Sequence, residues 1–430
     1  MNEENSDINM NISNNNYPNI FDLPNEILFI IINKLNIDDV FYSLVDVDER
    51  FGQLVLDPLY IENLDITFMT MNSFYDRTFS VHEQVLSNIC ENILPKIHDQ
   101  VKKLSIEQHS VERILTFNYS QLYSLSLVNF KEEILFQYLT GRKLPKLKCF
   151  SLTSINYTHD YDQQIIPLLR RMINLEELIL FLSVIRVDST FIGGIELYYQ
   201  VLIHMSHLNK FVFSINTGVL IKNNNIDVPS NEDIQHSFIG REYGQVDSYV
   251  HFEPRMPIDE FSFKEVKAVV KSHIYSLPYQ FERFLHLNNS FQGGMFIKVR
   301  CLTMTDTSPF EHQLFKIISD DFPFLKELNI SNVEPHKEKQ HSSTLINFPH
   351  LNLLNLVEAH VDYAEQFLVD TNTHLPCLLD LYIEYESLAM VTNNFTNDTT
   401  RLYCAKLKGL HIDKPFVRSK RFDEYFPLLL

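Results

Sequence analysis

Apolar residues recur along this chain in two rhythms. Between residues 20 and 60 the spacing is helical. Asp22-Leu23-Pro24-Asn25-Glu26 combines a proline that fits a first helical turn with carboxylates that favour its positive end. Ile27, Leu28, Ile31 and Leu35 follow at steps of three and four, so they share one face of a predicted helix. Asp38-Asp39 opens a second helix carrying Val40, Phe41, Leu44 and Val45. A third carries Val47, Phe51, Leu54 and Val55 and stops at Asp57-Pro58. Three short helices make a small core that gains from packing on a partner or on the following domain.

Beyond residue 60 the rhythm changes to a triplet, with apolar residues at its first, fourth and sixth positions. Clear copies are Leu147-Phe150-Leu152, Leu175-Leu178-Leu180, Val299-Leu302-Met304, Leu325-Leu328-Ile330, Leu351-Leu354-Leu356, Leu378-Leu381-Ile383 and Leu407-Leu410-Ile412. Weaker copies begin at Ile61, Val101, Leu122, Leu208 and Ile258. The last five clear copies start at residues 299, 325, 351, 378 and 407, a period within the 20 to 29 residues of leucine-rich repeats. Proline stands two places before the triplet at Pro145, Pro323, Pro349 and Pro376, where a missing donor does no harm. Helical stretches such as Phe310 to Ile318 and Tyr363 to Leu368 lie between triplets. Strand, turn and helix in repetition predict parallel strands whose units bury their triplets only by stacking. Residues 214 to 298 break the rhythm, and 216 to 250 read as an extended loop.

Both rhythms resemble known families. Leu23-Pro24-Asn25-Glu26, the apolar run Ile27 to Leu35, Asp38-Asp39-Val40, Leu44-Val45 and Arg50-Phe51 are similar, in order, to the F-box. Asp46-Val47-Asp48-Glu49 stand where that family often carries a cysteine, basic residues and tryptophan. The triplets resemble leucine-rich repeats, although Ser183, Val333 and Ala359 replace the family's asparagine. The resemblance implies an α/β fold class: a small three-helix F-box-like module over residues 19–60, then an irregular leucine-rich-repeat-like βα solenoid, a horseshoe, over 61–430. Residues 1–18, polar and asparagine-rich, read as a disordered tail.

Composition narrows the possible partners. The 430 residues carry a net charge of −19, and the basic pairs Lys102-Lys103, Arg170-Arg171 and Lys420-Arg421 are short and scattered. Nucleic acid and anionic membranes, which select basic surfaces, are therefore disfavoured. Five cysteines without a CxxC pair fit no disulfide framework, and Cys149, Cys301 and Cys377 stand among apolar neighbours as buried thiols do. Neither a signal peptide nor an apolar run of membrane-spanning length is present, which predicts a cytoplasmic or nuclear protein.

No phosphate-binding, zinc-protease or nucleophile-elbow motif occurs. His204 with His207, and His159 with Asp160 and Asp162, read as surface and loop polarity rather than a metal or acid–base site. No cofactor or metal is expected. The candidate residues are therefore those of surfaces. What the F-box resemblance implies is a substrate receptor of an SCF-type ubiquitin ligase, itself doing no bond chemistry. Leu23, Pro24, Ile27, Leu28, Ile31, Leu35, Val40, Leu44 and Phe51 would divide between module core and contact with a Skp-family adaptor, which links to a cullin. In the repeats, outward positions beside each triplet expose Lys326, Glu327, Asn329, Asn352, Asn355, Asp380, Tyr382, Glu384, Lys408 and His411 as a target-binding face. The alternative is an interaction scaffold without a ligase.

Overall fold

The computed structural model describes residues 20–32, 34–35, 40, 49–57, 61–67, 79–129, 139, 144, 146–187, 189–222, 229–240, 243–253, 268–337 and 345–429. The predicted tail, Asp38-Asp39, Leu44, Pro145 and the triplet from Ile258 to Phe263 lie outside the described residues.

The first helix, α1 (Asn25–Ile32), begins directly after Pro24 and ends three residues before Leu35. Its buried side chains are Leu28 and Ile32, one turn apart, so the inward face is rotated from the predicted one and Ile27 lies outside it. Helix α2 (Glu49–Val55) buries Phe51, Leu54 and Val55. Together with Val40 these side chains belong to the same core as the first β-sheet, so the small helical unit is not a separate hydrophobic body.

Sixteen strands lie among the described residues. Six run parallel and adjacent in sequence order: β1 (Asn63–Ile66), β2 (Lys103–Glu107), β3 (Ser124–Val128), β4 (Cys149–Thr158), β5 (Glu177–Val187) and β6 (Lys210–Ile221). Their register stacks Leu64, Leu104, Leu125, Phe150 and Leu178 in one buried row. Ile66, Ile106, Leu127, Leu152, Leu180 and Phe213 form the next. Period-two alternation in parallel register places the fourth and sixth residues of every triplet on the same side of the sheet, where their neighbours are apolar too.

The regular growth then reverses. β8 (Ala268–Leu277) pairs antiparallel with β6, and β7 (Gln245–Glu253) antiparallel with β8, which completes an eight-stranded sheet. Residues 216–250, expected as a loop, instead supply the end of β6, a helix at Asn231–His236 and most of β7. Strand β6 is buried along almost its whole length, so its polar residues Ser214, Asn216 and Thr217 are interior rather than loop.

A second sheet restores the parallel rhythm in the order β16-β15-β13-β11-β10-β9. Its strands are β9 (Arg283–Leu287), β10 (Cys301–Thr305), β11 (Glu327–Asn332), β13 (Leu353–Ala359), β15 (Asp380–Ile383) and β16 (Gly409–Ile412). Short β12 (Ile346–Asn347) and β14 (Thr373–His374) pair with each other. Phe284, Leu302, Leu328, Leu354, Leu381 and Leu410 stand in one row, and all but Leu410 are fully buried. Connecting helices pack behind them; His312–Asp321 buries Leu314, Phe315 and Ile318, and Val361–Leu368 buries Tyr363, Ala364, Phe367 and Leu368.

Each unit enters its strand through a tight turn. The amide of the first triplet residue donates back three residues: Leu325 to Phe322 (3.1 Å), Leu351 to Phe348 (3.4 Å), Leu378 to Leu375 (3.5 Å) and Val299 to Phe296 (3.1 Å). Pro323, Pro349 and Pro376 therefore occupy the second position of a β-turn, which their fixed φ suits. The residue opening each turn is buried, so the repeating unit has a fourth apolar anchor ahead of the triplet.

The two cores meet where the sheets adjoin. Tyr249 and Tyr275, on strands of the first sheet, pack in the second core with Tyr279, Phe284, Phe291, Phe296 and Phe322. Tyr157 stacks on His286 at 4.9 Å, and Ser214 Oγ lies 3.1 Å from the Tyr279 hydroxyl. These contacts tie β4 and β6 to the segment that opens the second sheet.

Candidate functional site

The helical unit divides the predicted F-box residues into two sets. Leu28, Val40 and Phe51 are interior, and Leu23 and Ile31 are half-buried. Pro24 is exposed, as are Ile27 at 42%, Ile30 at 54% and Leu35 at 45%. Arg50 fixes the start of α1: Nη2 donates to the Leu23 carbonyl at 2.6 Å, and Nε to Asn25 Oδ1 at 2.9 Å. That clamp spans the Leu-Pro turn and leaves a short apolar ridge facing solvent. Ile30 was missed because the helical periodicity was centred on Ile27 and Ile31.

In the second sheet, parallel register gathers part of the predicted face into a row. Thr303, Asn329, Asn355, Tyr382 and His411 are successive partners on β10, β11, β13, β15 and β16. The Tyr382 and His411 rings stack at 4.0 Å with an interplanar angle of 10°. Lys326, Asn352 and Lys408 form a second line at the strand entrances, joined through Leu379 by backbone hydrogen bonds of 2.8–2.9 Å. Glu384 is apart from both lines, as the N-cap residue of the helix Tyr385–Val391. One cluster at this end escaped the sequence reading: Arg300 lies over the Phe324 ring at 5.2 Å, and Phe324 stacks on His350 at 5.6 Å. These residues fall in turns, where the triplet pattern carries no information.

Other polar clusters are accounted for by packing. Asp162 pairs with Arg186 at 2.6 Å, and Arg186 also binds Glu196 while sitting over the Tyr161 ring. Asp160 accepts from Gln164 at 3.0 Å. A trio invisible in sequence joins Ser290 Oγ to His251 Nδ1 (3.2 Å) and His251 Nε2 to Asp306 Oδ1 (3.3 Å). Burial opposes ionisation of Asp306, but the nearby His251 imidazole and hydrogen bonds from the amides of Asn289 and Ser308 hold its carboxyl below the usual range. The Ser290 amide is itself committed to Asn288 Oδ1 at 3.0 Å, so the trio ties residues 288–290 to 306–308.

Burial pushes the Cys301 and Cys404 thiols up to about 12, the opposite of an activated nucleophile. Cys377, expected inside, is exposed in the turn ahead of β15; its apolar neighbours Leu375 and Leu378 are buried instead. Among the described residues no group of three or more His, Cys, Asp or Glu side chains is arranged to hold a metal. Among them, too, no helix is long and apolar enough to cross a membrane. No protein-family profile matches the chain, and no curated protein matches it in sequence.

Proposed function

We propose that the chain is a substrate receptor of an SCF-type ubiquitin ligase. In this reading residues 19–60 act as an F-box-like module and the repeats as a leucine-rich-repeat-like horseshoe. The helical ridge would bind a Skp-family adaptor and through it a cullin, while the outward rows of the second sheet hold a protein target. The receptor then acts by raising the local concentration of target near the conjugating enzyme. The observation that carries the reading is the α1 ridge: a Leu-Pro helix start clamped by Arg50, with Ile27, Ile30 and Leu35 exposed above a core that the first sheet shares. Apolar side chains grouped on an exposed helical face are what an interface anchor requires.

Pull-down of a Skp-family adaptor by the full chain tests this. Ile27→Asp with Ile30→Asp should abolish capture while leaving the thermal transition near wild type, because both side chains are already outside the core. If the wild-type chain captures no adaptor, the ligase reading falls and a scaffold without a ligase remains.

A further inference from the structure

The last strand of the second sheet differs from the others. In β15 and β11, triplet and outward residues alternate buried and half-buried; in β16 neither Leu410 nor Ile412 is fully buried, although Leu381 and Ile383, their partners one strand earlier, are. Gly409 donates to the Leu379 carbonyl at 3.1 Å. Alternation along a strand therefore turns the amides and carbonyls of Leu410 and Ile412 to the open side, where among the described residues no hydrogen bond closes on them. Among the described residues none pairs with this edge. Residues 413–429 fold back through Phe416, Phe422 and Leu428 and leave a trench of about 310 Å³ between themselves and β16. That volume is at the lower end of sites that hold a ligand or a few side chains.

The rim of the trench is basic in a chain whose net charge is −19. Lys408 and Arg418 flank it, and among the described residues neither has a carboxylate within salt-bridge distance. Two of the nearby carboxylates, Glu386 and Asp413, are taken by Lys414, at 3.6 and 3.5 Å, and a third, Asp380, lies over Gly409 at the β15 side of the trench, away from the open edge. An occupant must therefore offer backbone donors and acceptors in extended form, small apolar side chains at alternate positions, and negative charge at its ends.

We infer that β16 is a docking edge for an extended segment of another protein, apolar in its middle and flanked by aspartate or glutamate, which adds a strand to the second sheet. The inference rests on the target-binding half of the function proposed above and is independent of the adaptor-binding half. Main-chain pairing with Leu410 and Ile412 supplies the register; Lys408 and Arg418 select the charge.

The test uses the full chain and two fluorescent peptide series, each with alternating valine and threonine, one flanked by glutamates and one by lysines. Fluorescence anisotropy should show binding of the glutamate series and about tenfold or more weaker binding of the lysine series. Lys408→Glu with Arg418→Glu should reverse that preference; because Arg418 also donates to the Leu429 carbonyl and lies over the Phe422 ring, an unchanged thermal transition is read alongside, and Lys408→Glu alone should weaken the glutamate series. Leu410→Pro removes one outward donor at an edge position that tolerates proline, and should remove binding of both series. Hydrogen exchange at the Leu410 and Ile412 amides should be fast in the free chain and slowed by the glutamate peptide. Equal affinity for the two series, no binding at millimolar peptide, or unchanged exchange at Leu410 and Ile412 would each overturn the inference. So would a concentration-dependent dimer lost in Leu410→Pro, which would assign the edge to a second copy. Peptide binding without adaptor capture would sink only the ligase reading, and adaptor capture without peptide binding only this one.

Discussion

Acidification should destabilise this protein through the buried imidazole of His273. His273, on β8, is 1% exposed, with Nε2 2.8 Å from Ser214 Oγ and Nδ1 3.2 Å from the Tyr249 hydroxyl. Both partners are neutral hydroxyls, and burial, with a smaller contribution from His286, depresses its pKa to about 3. In the unfolded chain the same group titrates near 6.5. The folded pKa lies below the unfolded one, so the unfolded state binds more protons between these values. The stability His273 contributes is therefore complete above about pH 6.5 and is lost as pH falls toward 3. By about pH 5.5 the loss is about 1 kcal/mol, and by about pH 4.5 about 3 kcal/mol. His286, also depressed to about 3 by burial and then by Lys271, acts in the same direction. The assay is urea unfolding of wild type and His273→Asn at about pH 7.5 and about pH 5.5. Carboxylates and His286 titrate in both proteins and cancel in the difference. The asparagine variant should be less stable at the higher pH, and its deficit should shrink by about 1 kcal/mol at the lower. A deficit that stays constant between the two pH values would refute the reasoning.

Other expectations follow from packing. Leu354→Ala opens a cavity in a row where both strand neighbours are leucines, and should cost about 2–5 kcal/mol by urea unfolding. Gly194→Ala would place its new methyl carbon 2.5 Å from the Ser237 carbonyl oxygen and 2.8 Å from Phe238 Cα. Backbone cannot swing aside as a side-chain tip can, and a loss of about 1–3 kcal/mol is expected in the same assay. Arg186→Ala leaves Glu196 mostly buried without its cation, and should cost about 3–5 kcal/mol at neutral pH. Adding Glu196→Gln should recover part of that loss, and a double variant no more stable than the single one would show that charge is not the cause.

The triplets made most of the strands legible because their meaning is cooperative. One apolar triplet says little, but a period near that of one strand-and-return unit predicts parallel register, and Leu328, Leu354 and Leu381 are buried on adjacent parallel strands. The strand at Arg283–Leu287 was hidden for a specific reason. His286 takes a φ of +56°, and the register slips there, so the third apolar residue is Leu287 at the seventh position instead of the sixth. Phe281, Phe284 and Leu287 thus fail the pattern although they pack like its members. The reversal through β7 and β8 was illegible on other grounds: β8, buried on both faces, shows no simple alternation, and the serines and histidine inside it read as loop. At the candidate sites the limit was orientation. Ile27, Leu28 and Ile31 are adjacent on a helical wheel, and only the packing of α2 decides that Leu28 goes inward and Ile27 outward.

The reversal also has an energetic role. A parallel repeat array leaves one open strand edge at each end, and whatever interrupts the array must bury polar backbone and side chains without apolar triplets. Here the interruption does so with a hydroxyl–imidazole chain: Ser214 to His273, His273 to Tyr249, Ser214 to Tyr279, and Tyr279 onward to the Arg283 carbonyl at 2.7 Å. Each of these groups has a partner on a different segment, so the network rewards one mutual placement of β6, β7, β8 and the entrance to β9. A slip of β8 by one residue would turn His273 from Ser214 and bury it unpaired. The seam therefore supplies in hydrogen bonds the register that the triplets supply elsewhere by apolar contact. The second sheet grows from a fixed start and ends at β16, where among the described residues no comparable network closes the edge.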